Sequence, residues 1–431
     1  MPLRVGVLGA GTVGREVIAA LLTSSERLRM GAGRSIELVG VAVRDVERAV
    51  ASGIDPELVT NAPADLVAGD ATDVIVELMG GDEPARTLIS AALSVGKPVV
   101  TANKHILAHH GPELEAIARR TGAALRFEAA VGGGIPILGP LAADLAANEV
   151  SRIRGIVNGT TNVILSAMTD EGRAYGDALA DAQAMGYAEA DPSGDVEGAD
   201  AVNKLVILMR LAFGAWADPH SIETRPATLR GGRGEPGITG VTLELIRVAA
   251  ALGLSIKLVA DARRPTLHER VAASVLPTAV PVEDPFSRVN GAMNRIEVRA
   301  TPVGALAFSG RGAGGASTSS AVLGDLAAIG RRASSTWAAL APASAAGHDW
   351  IDGPPDSSPD RGWLAVVPSD AARADAMASR DLRVEQVGEQ FGVHQRHGSI
   401  EAFRATLVSL LADSAGADVT IYPVDEAESH R

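Results

Sequence analysis

The first third of the chain alternates two textures. Short Val/Ile/Leu runs, Leu3–Leu8, Glu37–Val43, Asp73–Glu77, Pro98–Thr101 and Ala124–Glu128, predict strands buried on both faces. Between them, Gly14–Leu22, Glu83–Val95 and Gly111–Thr121 place apolar residues at helical spacing. Such alternation predicts a parallel sheet with helices on both faces, and right-handed crossovers make it a doubly wound α/β domain. We assign it to residues 1–135, completed by about 305–340.

The pattern then changes. Residues 136–304 mix helical stretches (Ile137–Ala147, Ala178–Met185, Asp200–Leu211, Thr242–Leu252) with strand-like runs (Arg152–Asn158, Glu269–Leu276, Arg295–Ala300), and Ala305–Ser309 follows as a further strand. This predicts an α+β domain. Residues 221–237, rich in Gly, Arg and Pro, read as a surface loop. Residues 341–362 carry Gly-Pro-Pro-Asp-Ser-Ser-Pro-Asp, a linker composition. Beyond it, strand Trp363–Val367, helix Ala371–Ser379, strands Leu382–Val387 and Phe391–Gln395, helix Ile400–Ala412 and strand Asp418–Tyr422 give the βαββαβ order of a ferredoxin-like module over 363–431.

Composition narrows the function. An apolar fraction of 46% excludes wholesale disorder, and the absence of cysteine excludes disulfides and thiol chemistry. The net charge of −13 argues against coating nucleic acid or anionic lipid. The longest apolar stretch, Leu205–Ala217, is broken by Arg210 and too short to span a membrane. With no signal-peptide pattern at the N-terminus, a cytoplasmic setting is expected.

Gly9-Ala10-Gly11-Thr12-Val13-Gly14 follows the first strand and opens a helix, as a dinucleotide fingerprint does. Gly9 serves the tight turn, Gly11 the approach of a pyrophosphate, Gly14 close helix–strand packing, and the helix N-terminus, with Thr12 and Val13, supplies N–H groups. The second strand ends in Arg44-Asp45. An arginine there suits the 2′-phosphate of NADP, a carboxylate the ribose of NAD, and a solvated Arg–Asp pair suits neither.

Three further regions carry polar content. Thr101-Ala102-Asn103-Lys104 follows a strand end, where ligands of open α/β sheets bind, so Lys104 is either an active-site group or a surface lysine. Gly186–Asp200 holds many carboxylates among Pro and Gly, and Asp200 and Lys204 stand one helical turn apart. They form either a helix salt bridge or an acid able to protonate a developing alkoxide. Glu128 precedes a Gly132-Gly133-Gly134 bend that is either a hinge or a hard-cation site. Gly310–Gly315 is either a second approach to the dinucleotide or a flexible return. His105, His109 and His110 lack a completing carboxylate and read as surface residues.

The chain resembles the homoserine dehydrogenases. The resemblance rests on Gly9–Gly14, Val99-Val100-Thr101-Ala102-Asn103-Lys104, Val131–Ile137, Gly155–Asn162, the run Gly186–Lys204 and Gly310–Leu326, in family order over about residues 1–330. It implies NAD(P)H-dependent interconversion of L-aspartate 4-semialdehyde and L-homoserine. Lys204 is then the proton donor, Asp200 its partner, and Lys104 lines the site. Glu189, Gly159, Thr160, Tyr187 and Asp195 serve the substrate. Gly186, Gly310 and Gly312 join the cofactor set. Glu128 with backbone atoms of Val131, Gly133 and Ile135 matches a monovalent-cation site, sodium by the family pattern. The middle domain becomes catalytic and dimerising, which implies a homodimer or higher homo-oligomer. The tail becomes an ACT-like module, and no fused kinase is expected.

The chain departs from that pattern at Val163, at Ser317–Ser320, over 221–237 and at Asp284. In the tail, Ser369-Asp370-Ala371-Ala372 stands where the family has a Pro-Gly-Val-Leu turn, so an altered or lost threonine response is expected. Two alternatives remain at this stage: another Rossmann-type amino-acid dehydrogenase, which needs no Asp200/Lys204 pair, and a non-catalytic dinucleotide sensor, which would have lost Lys204 or Glu189.

Overall fold

The computed structural model describes residues 1–264, 266, 269–343, 361–368, 382–411 and 419–425. The chain divides into two compact units, the first comprising 1–150, 203–219 and 299–348, the second 151–202, 220–298 and 349–431. In chain order come β1 (Leu3–Leu8), α1 (Thr12–Thr23), α2 (Ser25–Ala32), β2 (Ile36–Ala42), α3 (Val46–Ala51), β3 (Val59–Thr60), α4 (Pro63–Ala68), β4 (Val74–Glu77), α5 (Ala85–Ser94), β5 (Val99–Thr101), α6 (Lys104–Thr121), β6 (Leu125–Arg126) and α7 (Leu138–Ala142). They are followed by β7 (Glu149–Ile156), α8 (Gly159–Glu171), α9 (Tyr175–Ala184), α10 (Ser193–Val196), α11 (Ala199–Phe213), β8 (Ala227–Thr228), α12 (Leu243–Ala251), β9 (Leu254–Arg263) and β10 (Ala272–Pro281). The last are β11 (Met293–Thr301), β12 (Gly304–Arg311), α13 (Gly315–Gly330), β13 (Gly362–Pro368), β14 (Leu382–Val387), β15 (Gln390–Gln395), α14 (Ile400–Leu410) and β16 (Thr420–Val424).

The first unit is the expected doubly wound domain. Its sheet runs β3-β2-β1-β4-β5-β6 with every pairing parallel. The winding reverses between β1 and β4, and the carboxyl ends of those strands therefore border a crevice. Helix α13 returns to this unit, packing Val322, Leu326 and Ile329 with Val17, Ile18 and Leu21 of α1. Two boundaries differ from the sequence reading. Helix α6 starts at Lys104 instead of Gly111, because the Asn103 side chain accepts from Ile106 N–H as an N-cap and Pro112 is carried inside the helix. Helix α7 is shorter than Ile137–Ala147.

Arg210, the one charge in the apolar run, is fully buried. Its Nε and Nη2 donate to both carboxylate oxygens of Glu115 on α6 at 2.9 and 2.7 Å. Trp216 Nε1 and Arg119 Nε donate to the same carboxylate, each at 2.8 Å, and Arg210 Nη2 also reaches the carbonyl of Ala341. A bidentate arginine fork with two further donors satisfies a carboxylate that has left water. Helices α6 and α11 are thereby fixed in register.

In the second unit, strands run in the order β11-β7-β9-β10-β16-β13-β15-β14, with β8 against β16. Strands β9 and β10 form a ten-residue antiparallel ladder from Ala272↔Arg263 to Pro281↔Leu254. The tail strands stand in the order β16-β13-β15-β14, antiparallel throughout, which is the ferredoxin-like arrangement. Phe403, Leu407 and Leu410 of α14 cover one face against Trp363, Ala365 and Val393. The expected helix Ala371–Ser379, the residues Ser369–Ala372 and most of the 341–362 linker lie outside the described residues.

The tail shares its sheet with the strands before it. Strand β16 pairs in parallel with β10 at Val424↔Ala279, and Asp425 N–H donates to the Ala279 carbonyl at 2.8 Å. Residues 221–237 are correspondingly more than a surface loop: Ala227–Thr228 adds a strand to β16, and Ala227 is buried in the tail core. Among the described residues no helix is long and apolar enough to cross a membrane.

Burial alone would raise the Glu115 carboxyl, but Arg210, Trp216 and Arg119 outweigh it and hold its pKa below the usual value. A depressed folded-state pKa gives stability that is present above the unfolded value, about 4.3, and lost as pH falls through the folded one. Glu115→Ala leaves Arg210 buried without its counter-charge and should cost about 3–5 kcal/mol at neutral pH, the deficit shrinking in acid. Urea denaturation at pH 7 and below pH ~4 checks both parts.

Candidate active site

The glycine turn follows β1. Gly9 has φ +101°, and a Cβ there would stand 2.7 Å from the Leu78 carbonyl oxygen. A Cβ on Gly14 would stand 2.2 Å from the carbonyl oxygen of Gly9, so the helix can begin this close only on glycine. Gly11, the N-cap of α1, has open space around it, which leaves the N–H groups at Thr12 and Val13 approachable.

These residues open onto a cavity of about 620 Å³ at the switch point of the first sheet. Gly9, Ala10 and Gly11 form one wall, and Leu78, Met79 and Pro84, after β4, another. Arg44 lines it, and so do Arg15 and Arg48, which the sequence reading did not single out. Arg48 was findable, being one helical turn from Arg44. Asp45 also lines the cavity, but its carboxylate caps α3 by accepting from Arg48 N–H at 2.9 Å.

Glu77, the last residue of β4, is fully buried. Burial raises its pKa, opposed by the Thr101 hydroxyl and the Met79 and Gly80 N–H groups. Thr101 donates to Glu77 Oε2 at 2.6 Å, while Oε1 accepts from Met79 N–H at 2.7 Å. Thr101 Oγ1 in turn accepts from Asn103 N–H at 2.9 Å, and Asn103 Nδ2 donates to the Gly81 carbonyl at 2.8 Å. One hydrogen-bonded chain thus joins the cavity wall at Leu78–Met79 to the residue that caps α6 immediately before Lys104. A carboxylate ending a buried apolar strand was the signal for Glu77 in the sequence.

Glu128 caps α7. Its Oε1 accepts from Ile137 and Leu138 N–H at 2.7 and 2.8 Å, and Oε2 from Gly139 N–H at 2.7 Å. Burial raises its pKa, these bonds oppose that, and the neighbouring Asp325 adds to the rise. Val131, Gly133 and Ile135 are buried in the bend that follows. A Cβ on Gly133 would stand 2.8 Å from the Gly312 carbonyl carbon, and one on Gly310 3.1 Å from Ile135 Cγ1. The two glycine turns therefore touch.

In the second unit, Asn158 is central, and the sequence reading gave it no role. Its Oδ1 accepts from Thr161 N–H and caps α8. Its Nδ2 donates to Asp195 Oδ1 at 2.6 Å and to Asp200 Oδ2 at 2.8 Å. Thr160 Oγ1 donates to the Tyr187 carbonyl at 2.9 Å, and Gly159 approaches Ala292. Gly159, Thr160, Tyr187, Asp195 and Asp200 are thus gathered around one helix start. Gly186 takes φ +76°, and the Glu189 side chain is exposed in the following loop. Lys204 lies one turn beyond Asp200 on α11 and is buried, 8% exposed.

The histidines do not assemble a ligand set. His105 and His109 stack with ring centroids 4.3 Å apart, and His110 pairs with Asp82 at 3.0 Å. Among the described residues no group of three His, Cys, Asp or Glu side chains could hold a metal.

Comparison with known proteins points to one family. A family model described as homoserine dehydrogenase, NAD binding domain, matches residues 9–128, and one described as homoserine dehydrogenase matches 136–327. The homoserine dehydrogenase of Mycobacterium tuberculosis is 40% identical over 435 aligned positions, covering 99% of this chain and 95% of that protein. The crystal structure of a homoserine dehydrogenase from Thiobacillus denitrificans superposes with a TM-score of 0.85 at 35% identity, covering 99% of both chains. A hyperthermophilic archaeal homoserine dehydrogenase in complex with NADPH superposes with a TM-score of 0.64 at 26% identity, covering 77% of this chain and 98% of that one.

The buried chain from Glu77 makes a distinct prediction. Glu77→Ala should weaken dinucleotide binding about tenfold, since it releases Met79, Gly80 and Thr101 together. Glu77→Gln, which can still accept from the backbone, should stay within about threefold. Titration of NADPH fluorescence separates the two.

Proposed function

The chain belongs to the homoserine dehydrogenase family and is an NAD(P)-dependent oxidoreductase interconverting L-aspartate 4-semialdehyde and L-homoserine; from that premise we propose residue roles and a preference for NADP. The observation that carries the preference is the arginine set Arg15, Arg44 and Arg48 around the first-unit cavity. A 2′-phosphate is a dianion that such cations recognise. Asp45, the residue that could favour the ribose hydroxyls of NAD, is engaged as a helix cap. The NADPH complex of the archaeal relative supports the same choice.

The bound nicotinamide supplies or accepts the hydride. Lys204 donates the proton to the aldehyde oxygen as the alkoxide develops, and takes it back in the oxidising direction. Its burial excludes water from the ammonium and strengthens its field at the carbonyl. Asp200 keeps that ammonium charged and is itself oriented by Asn158. Lys104, held at the start of α6 by the Asn103 cap, lines the same reaction site. Glu189 receives the substrate ammonium. Gly159, Thr160, Tyr187 and Asp195 shape the substrate loop, while Gly186, Gly310 and Gly312 contact the cofactor.

The bend after Glu128 suits a monovalent cation. Val131, Gly133 and Ile135 offer carbonyl oxygens to which no N–H among the described residues donates, and Glu128 adds a hard anionic donor with a remaining lone pair. These residues would hold sodium and brace the contact between the two glycine turns. A homodimer working in the cytoplasm completes the proposal on the family pattern.

Lys204→Ala should lower kcat by at least about 100-fold and leave the NADPH dissociation constant nearly unchanged, because the lysine serves the transition state. Stopped-flow and equilibrium titration check the two halves, and wild-type turnover in the variant would remove the assignment. Arg44→Ala should raise KM for NADPH at least tenfold more than KM for NADH, about 1.4 kcal/mol of selective binding. Equal changes would take Arg44 out of the 2′-phosphate site.

A further inference from the structure

Strand β7 carries two buried arginines two residues apart, Arg152 and Arg154. Both reach the same carboxylate in the tail. Arg152 Nη2 donates to Asp425 Oδ1 at 2.7 Å, and Arg154 Nη1 donates to Asp425 Oδ2 at 2.7 Å. Arg263 Nη2 approaches Oδ1 at 3.4 Å. Other carboxylates join them: Arg152 Nε donates to Asp261 at 2.8 Å, Arg154 Nη2 to Asp284 at 3.0 Å, and Arg154 Nε and Nη2 to Glu297, each at 3.2 Å. Asp284 is one of the positions at which this chain departs from the family pattern. It therefore stands inside this network, outside the catalytic set.

Asp425 is 2% exposed, and its backbone N–H is itself bonded to Ala279 of β10. Burial would raise its pKa, but the three arginines drive it far below the carboxylate range. The arginines thus hold it in the charged form, and without it Arg152 and Arg154 would lose the one carboxylate they share, keeping Asp261 on one side and Asp284 with Glu297 on the other. Four residues beyond Arg154 comes Asn158, whose Nδ2 holds Asp195 and Asp200 and whose Oδ1 starts α8. Val157 and the end of β7 are the only covalent link between the arginine pair and that cap.

We propose that Asp425 is a positioning residue for the substrate loop: by neutralising Arg152 and Arg154 it fixes β7, and β7 presents Asn158 to Asp195 and Asp200. The C-terminal module is then part of the catalytic unit, and its last strand is needed for turnover whether or not the module binds an effector. This rests on the assignment of Asp195 and Asp200 to substrate handling and catalysis. The cofactor cavity is lined wholly by residues outside the network.

The test uses the full-length chain and compares wild type, Asp425→Asn, Asp425→Glu and Phe403→Leu. Phe403 is buried in the tail core and belongs to neither the network nor the site. Below the melting temperature of each, Asp425→Asn should lower kcat/KM for L-aspartate 4-semialdehyde about 10- to 100-fold, the scale of a slight misplacement of reacting groups. The NADPH dissociation constant should stay within about twofold, Asp425→Glu should recover part of the loss, and Phe403→Leu should lower the melting temperature while keeping kcat/KM. If Asp425→Asn does not fold, Arg154→Lys, which keeps the charge but loses the fork, should show the same selective loss. Unchanged kcat/KM in Asp425→Asn, or an equal loss in Phe403→Leu, overturns the proposal. An inactive wild type that binds NADPH would instead overturn the reading of the site on which it rests.

Discussion

A charge that has left water must be met by another, and the Glu115–Arg210 pair shows what this imposes on the first unit. Arg210 sits in the last turn of α11, within an otherwise apolar run, and can be buried there only because α6 brings a carboxylate to it. The helix that begins with Lys104 is thereby locked to the helix that carries Lys204. Packing of Leu, Val and Ile alone would let two such helices slide by a residue at small cost. A bidentate ion pair with Trp216 and Arg119 on the same carboxylate does not tolerate that slip.

The same logic recurs with different residues wherever the molecule needs a fixed position. Glu77 joins the end of β4 to the cap of α6, Glu128 fixes the start of α7, and Asn158 holds two carboxylates at the start of α8. Glu77 and Asn158 have partners on more than one element, and Glu128 ties its own turn to the start of α7, so each is a constraint between elements and not within one. The net charge of −13 and the basic cavity are reconciled in this way too. The acidic balance belongs to the chain as a whole, while three arginines line the first-unit cavity.

Much of this was legible beforehand. Strands buried on both faces announce themselves as uninterrupted Val/Ile/Leu runs, and the Gly9–Gly14 spacing has one physical use. The tail's strand and helix order sufficed for its ferredoxin-like arrangement. What escaped the reading is where buried polar residues interrupt a pattern. Strand β9 was missed because Lys257 and Asp261 break its apolar run. In the fold, Lys257 Nζ donates to the Val289 carbonyl and Asn290, and Asp261 pairs with Arg152 and Arg263. Helix α8 was missed because Thr-Thr-Asn is a poor helix former and its start depends on the Asn158 cap. The partners of Glu115 and Asp425 are about 95 and 273 residues away in sequence, and no local pattern joins them. Site residues could be named by family likeness because their motifs are contiguous; the parts played by Asn158 and Glu77, whose hydrogen-bond partners lie on other elements, are carried by no such motif.

The central claim is that this fold delivers a hydride from a bound nicotinamide to an amino-acid aldehyde while the protein supplies the proton. The most direct test follows NADPH and NADH consumption by the purified full-length chain on addition of L-aspartate 4-semialdehyde, with the product identified by mass. The account predicts one L-homoserine formed per NADPH oxidised, with NADH the poorer donor. Folded protein that binds NADPH tightly yet forms no homoserine with either cofactor would contradict it.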